Sequence, residues 1–310
     1  VKGWNYYETD ITRVVETNLI TFFDWNFIDR GAIVNINIPQ SGAYGGDFSQ
    51  LRPSQDPRYT TGTIWESIRG NWVWESGLSL LTPIKISGVF VDNVLNTNNT
   101  IDYIRGRVIF DTAISTSSTV RLEYSYKEVQ FDHADNHPWI RQIQQRSRRI
   151  DDSNFYLSSG NYNLLPDNRI QLPYVGIHAY GRKNKGYQLG GSHWVEHTCK
   201  FHIIAEDDYT CRKISDMIAN QENTTFYVFS PDLMISSSAF PLNIDGTLAS
   251  NPLCYPDIIK PTGDGGFRYL NGIQNGKAYM FNCQGSQIQD LGGAYYTTVT
   301  LNTELIATKL

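Results

Sequence analysis

The sequence has no paired cysteines, no long apolar run and little charge. Cys199, Cys211, Cys254 and Cys283 are its only cysteines, and they form no CxxC pair. That excludes a dense disulfide framework and leaves them as small core residues in a reduced compartment. No apolar stretch nears the roughly 20 residues that cross a bilayer as a helix, and the N-terminus has no basic-plus-apolar leader pattern. A soluble chain without a membrane partner is expected. The charged share is 18 %, the net charge −5 and the pI about 5.7, which excludes a protein whose main work is neutralising nucleic-acid phosphates.

The signatures of several enzyme classes are missing too. There is no GxSxG elbow, no GxxxxGK[ST] and no GxGxxG between strand and helix. "GDGG" at 263–266 lacks the acidic spacing of a calcium loop. Asp151-Asp152 and Asp207-Asp208 are neighbours in sequence, placed in a linker and at a helix cap, where they need no catalytic role. "HWVEHTCKFH" holds His193, His197, Cys199 and His202. On a strand the first three point one way and His202 the other, and the order is not HExxH, so strand-borne histidines are expected rather than a metal site. The expectation is no enzyme, no cofactor and no metal.

What the chain does have is aromatic rings: 19 Tyr, 14 Phe and 7 Trp in 310 residues. Such side chains suit cores and contact surfaces alike. "DITRVVETNLITFFDW" places Ile11, Val14, Val15, Leu19, Phe22 and Phe23 at helical spacings behind an N-cap at Asp10. "GAIVNINIPQ" then alternates as a strand. Residues 39–62, crowded with Gly, Pro, Ser and Gln, read as a long loop or arm that a neighbour would order. Trp65, Trp72 and Trp74 follow, large enough to mark a buried contact.

From Ile84 to Phe131 the pattern predicts an antiparallel meander turning at Arg105-Gly106. Val120, Leu122, Tyr124 and Tyr126 would form its core face, while Arg121, Glu123, Ser125 and Lys127 meet water and leave a face for a partner. A helix from Pro138 carries Arg141, Arg146, Arg148 and Arg149, either as a solvated helix end or as a contact to phosphate or an acidic subunit. After a linker at 151–168 comes a β-β-α-β unit, with Cys199, Phe201, Ile203 and Ala205 on one strand face. Its helix is capped by Asp207 or Asp208. Gly- and Pro-rich chain then runs from 231 to 293 before a last β-branched strand.

The expected fold class is therefore α+β and β-dominated: a meander plus a small sheet-and-helix domain, with an N-terminal helix. Its units would be 1–60 (helix, strand, arm), 61–150 (β-rich, ending in a helix) and 151–310 (α+β). Candidate interface residues are Trp65, Trp72, Trp74, Tyr124, Tyr126, Arg141, Arg146, Arg148 and Arg149.

The passages "ISGVFVDN", "IDYIRGRVIFD" and "VRLEYSYKEVQF", with "KGYQLGG" and "KFHIIAEDDYTCRKISDMIANQ", resemble structural proteins from the head–tail gene blocks of tailed bacteriophages. The second half is similar in element order to tail-terminator and neck proteins. The resemblance implies a virion protein made in the bacterial cytoplasm. It would form a homo-oligomeric ring with portal or adaptor and tail tube or sheath proteins as neighbours, near packaged DNA. Connector, terminator, collar and baseplate roles stay open, and the meander would be an addition to the small terminator core. Two other readings use the same rings differently: a carbohydrate-binding β module of a fibre or adhesin, and a glycoside hydrolase whose carboxylates are distant in sequence.

Overall fold

Helix α1 (Ile11–Asp29) forms where the apolar period predicts it and continues through Phe27 and Ile28. Gly31, at φ +89, stops it. The Gly31 N–H bonds to the Ile28 carbonyl at 3.0 Å and the Ala32 N–H to the Phe27 carbonyl at 2.9 Å, a closure that needs a left-handed residue. The computed structural model describes residues 11–39, 47–54, 56, 58–67, 69–134, 171–186, 193–269 and 276–307. The Asp10 cap, the Pro138 helix and the 151–168 linker lie outside the described residues.

Strand β1 (Ile33–Ile36) leaves α1 and pairs antiparallel with β9 (Tyr124–Lys127). Between them lies a seven-stranded sheet. Its members are β2 (Gln50–Pro53), β3 (Ile64–Glu66), β4 (Val89–Val91), β5 (Val94–Asn96), β6 (Asn99–Asp102), β7 (Arg107–Phe110) and β8 (Val120–Arg121). Their spatial order is β5-β4-β8-β2-β3-β7-β6. The expected hairpin closing at Gly106 is present, and a second one turns at Asp92-Asn93 with positive φ at each residue. They are not neighbours as in a plain meander, because β8, β2 and β3 sit between them.

That order corrects the arm reading of 39–62. Residues 50–53 form β2, which bonds β8 on one side and β3 on the other, and Leu51 is buried in the core. The cause is a four-residue strand with a single inward apolar side chain, too short to show a period of two.

A second seven-stranded sheet follows the order β10-β11-β12-β16-β14-β13. It is made of β10 (Gln130–His133), β11 (Tyr174–Gly186), β12 (His193–Ala205), β13 (Thr225–Tyr227), β14 (Lys277–Gly285), the short β15 (Gln289–Asp290), which pairs with β16, and β16 (Tyr295–Ala307). Only β10 and β11 run parallel. Helix α2 (Asp208–Ala219) starts at Asp207, whose carboxylate accepts from the Thr210 N–H at 2.7 Å. Short helices α3 (Pro231–Ser236) and α4 (Tyr255–Ile258) lie in the Gly- and Pro-rich stretch, as does β14, whose Ala278 and Met280 point inward.

Both long helices pack on one face of this second sheet. Phe23 meets Phe201 edge-on at 5.1 Å, Phe22 lies 5.2 Å from Phe226, and Cys211, Ile214 and Ile218 of α2 fill the rest. The fold class is thus β-dominated α+β with an N-terminal helix, as the sequence indicates. Among the described residues no helix is long and apolar enough to cross a membrane.

Candidate interaction surface

Two of the three tryptophans expected at a contact, Trp65 and Trp72, belong to this chain's own core. Trp65 is 1 % exposed and its indole N–H donates to the Gly62 carbonyl at 3.0 Å. Trp72, also 1 % exposed, donates to the Arg69 carbonyl at 2.9 Å and packs 4.8 Å from the Tyr124 ring. Tyr124 donates to the Phe48 carbonyl at 3.0 Å, and burial pushes its phenol up to about 12. A buried ring with its polar atom satisfied inside the chain has nothing left to offer a neighbour. Trp74 and Tyr126 are half-buried, the latter beneath the Arg69 guanidinium at 5.7 Å. Arg141, Arg146, Arg148 and Arg149 lie outside the described residues.

The face of β8 and β9 expected to meet water is covered as well. Arg121 pairs with Asp47 at 2.6 Å, and the buried Ser125 hydroxyl donates to Asn35 and accepts from the Ile84 N–H. Lys127 reaches Asp24 of α1 and Glu75. Alternation alone assigns the face; it cannot show that α1 and the 71–84 segment cover it.

The histidines of β12 do lie on a strand, and His197 and His202 divide as the alternation requires. His197 and Cys199 point toward α1, where His197 Nε2 is 3.1 Å from Thr12 Oγ1. His202 points the other way and its Nδ1 lies 2.8 Å from the Tyr296 hydroxyl. Burial raises the thiols of Cys199 and Cys211 to about 12 and that of Cys283 to about 11, which makes them poor nucleophiles. Next to His197, α1 docks through Glu16. Its carboxylate accepts from the Ala179 N–H at 2.7 Å and from Arg13 at 3.2 Å, with His178 at 3.5 Å and His133 at 3.6 Å. Burial opposes that charge, yet contact with His133 and the Ala179 N–H hold the carboxyl below its usual range. Among the described residues no group of three His, Cys, Asp or Glu is arranged to hold a metal.

Among the described residues, the second sheet carries two open surfaces. β10 pairs with β11 only as far as Ile177, whereas β11 runs on to Gly186. Over Tyr180–Gly186 every residue is exposed. No described strand lies on this outer edge. With β12 it forms a ribbon, bent where the register shifts between Tyr180 and Lys183 at Gly181, φ +71. The ribbon carries Arg182, Lys183 and Lys185, and Lys185 leans on Glu196 and, at 3.7 Å, Glu304. On the sheet face away from the helices, His178 and Tyr180 stack at one side, and Tyr279 and Phe281 at the other with rings 5.8 Å apart.

At the opposite end of the same strands an open cleft of about 510 Å³ separates α2 from the β14–β16 turns. Asp208, Arg212, Asp216, Asp290 and Tyr295 are among its lining residues, and Arg212 is already paired with Asp208 at 2.8 Å. The sequence reading passed over both features. Their signals are present in it: the run RKNK inside an alternating segment, which is how natural edge strands resist pairing with themselves, and the acidic cluster Glu206-Asp207-Asp208. No protein-family model matches this chain, and no curated protein matches it.

Proposed function

We propose that the chain is a structural subunit of a phage virion, building a homo-oligomeric ring in the neck or tail between head and tail, and that it is not an enzyme. The observation that supports this reading is the outer edge of β11, where Tyr180–Gly186 are exposed and no described strand pairs with them. An edge of that length presents a row of backbone donors and acceptors that an added partner satisfies. The element order supports the phage assignment: an N-terminal helix and a second helix on one face of a small sheet, with the β-rich insertion beside it. Adaptor, terminator, collar and baseplate subunits all fit this description.

Native mass spectrometry and negative-stain imaging of the purified protein test the proposal. The expected result is a closed ring of one stoichiometry. A protein that stays monomeric alone and in the presence of the neighbouring virion components would overturn it.

One observation favours a second reading, a carbohydrate-binding module. Tyr279 and Phe281 stack on the open face, while the Arg268 guanidinium sits 3.8 Å from the Tyr227 ring centre and Lys277 lies 5.1 Å from it. A stacked pair with one exposed ring, Tyr279, and donors nearby suits the apolar face of a sugar. Glycan binding by the monomer, lost on Tyr279→Ala, is the outcome that would favour it.

A further inference from the structure

We infer that the contact between subunits is head-to-tail: the basic β11–β12 ribbon of one copy enters the acidic cleft between α2 and β15 of the next. This rests on the ring reading above. β12 runs from the ribbon at His193 to Ala205, where it meets α2, and Ala205 faces Tyr295 at the start of β16. Its 13 residues at roughly 3.3 Å each put ribbon and cleft about 40 Å apart. Within one chain the two are well beyond the ~8–10 Å over which exposed charges act at moderate salt. They can meet only between copies.

Their charges are complementary. The ribbon brings Arg182 and Lys183, both exposed, while Lys185 is occupied by Glu196 and Glu304. The cleft brings Asp216 and Asp290, both exposed, with exposed Glu206 and Asp207 beside it, while Arg212 is occupied by Asp208 and Lys213 of α2 is not in the lining. The same cations oppose the alternative in which two β11 edges pair with each other across a two-fold axis, because Arg182 and Lys183 would face their own copies. A contact between two different patches is heterologous, and a heterologous contact that closes generates a ring.

Charge exchange tests the assignment. Arg182→Glu with Lys183→Glu makes the ribbon acidic, and Asp216→Lys with Asp290→Lys makes the cleft basic. Each variant alone should lose the assembled species seen for the wild type by native mass spectrometry. Mixed in equal amounts they should associate again into alternating oligomers, since every junction between the two variants joins opposite charges, and this recovery also shows that both variants fold. Assembly by either variant alone, or a mixture that stays dissociated, would overturn the ribbon–cleft contact while wild-type rings leave the ring reading standing. A wild-type protein that never assembles would remove both.

Discussion

The ammonium of Lys127, on β9, lies 2.5 Å from the carboxylate of Asp24 on α1 and 2.6 Å from that of Glu75. One cation thereby ties the N-terminal helix to the β-rich half. Lys127 is 12 % and Glu75 5 % exposed in their side chains. Burial lowers the Lys127 pKa and the two carboxylates more than reverse this; burial also raises that of Glu75. Removing the cation would leave two carboxylates facing each other out of water. Lys127→Met is expected to destabilise the fold by about 3 to 5 kcal/mol, measured by urea denaturation. Adding Glu75→Gln should recover part of the loss, and equal stability of the single and double variants would contradict the arrangement.

Trp72 separates a core role from an interface role. Its ring is enclosed with Leu122, Tyr124 and Val108, so Trp72→Ala is expected to lower unfolding free energy by about 3 to 5 kcal/mol. An interface tryptophan would instead leave the monomer's melting temperature unchanged and weaken assembly alone.

Asp102 is fully buried and accepts from Arg107 Nε at 2.9 Å and from the Arg105 N–H at 3.0 Å. Gly246 lies against it at φ +85, and a Cβ there would collide with the Asp102 carboxylate. The Gly246 carbonyl also accepts from the Tyr103 N–H at 2.9 Å, joining the 240s loop to the β6–β7 turn. Gly246→Ala adds a left-handed strain of about 1–2 kcal/mol to a collision with a group that cannot move without abandoning two arginines. A clear fall in thermal midpoint is expected, with the larger part of it absent in an Asp102→Gly, Gly246→Ala background relative to Asp102→Gly alone.

His202 sets a pH dependence. Burial is the main cause that brings its pKa down to about 4 from an ordinary 6.5, with Lys200 and His178 adding to it. The unfolded chain takes up a proton on this residue below about pH 6.5, and the folded chain does so only near 4, so stability falls as pH drops through that window and then levels. The loss amounts to about 3 kcal/mol. His202→Gln keeps a partner for the Tyr296 hydroxyl and should flatten the urea midpoint between pH 6.5 and 4. Glu16, whose carboxyl is held below its usual range, costs stability only at lower pH, when it protonates. Parallel pH profiles for wild type and variant would count against a buried neutral His202.

The sequence by itself determined the elements with long, strongly periodic patterns. Ile11 to Phe23 at helical spacing, Cys199 to Ala205 in alternation and a helix cap at one of Asp207 and Asp208 were legible, because each depends only on residues close along the chain. The tertiary structure decided what covers what. Leu51 joins the centre of a sheet through pairing with residues about 70 positions away. Trp65, Trp72 and Lys127, which the pattern left facing a partner or water, are enclosed by segments that no local period can place. The edge of β11 that no described strand pairs with has the same origin. Whether a strand has a neighbour depends on where β10 ends, and that is settled by long-range packing rather than by the alternation within β11.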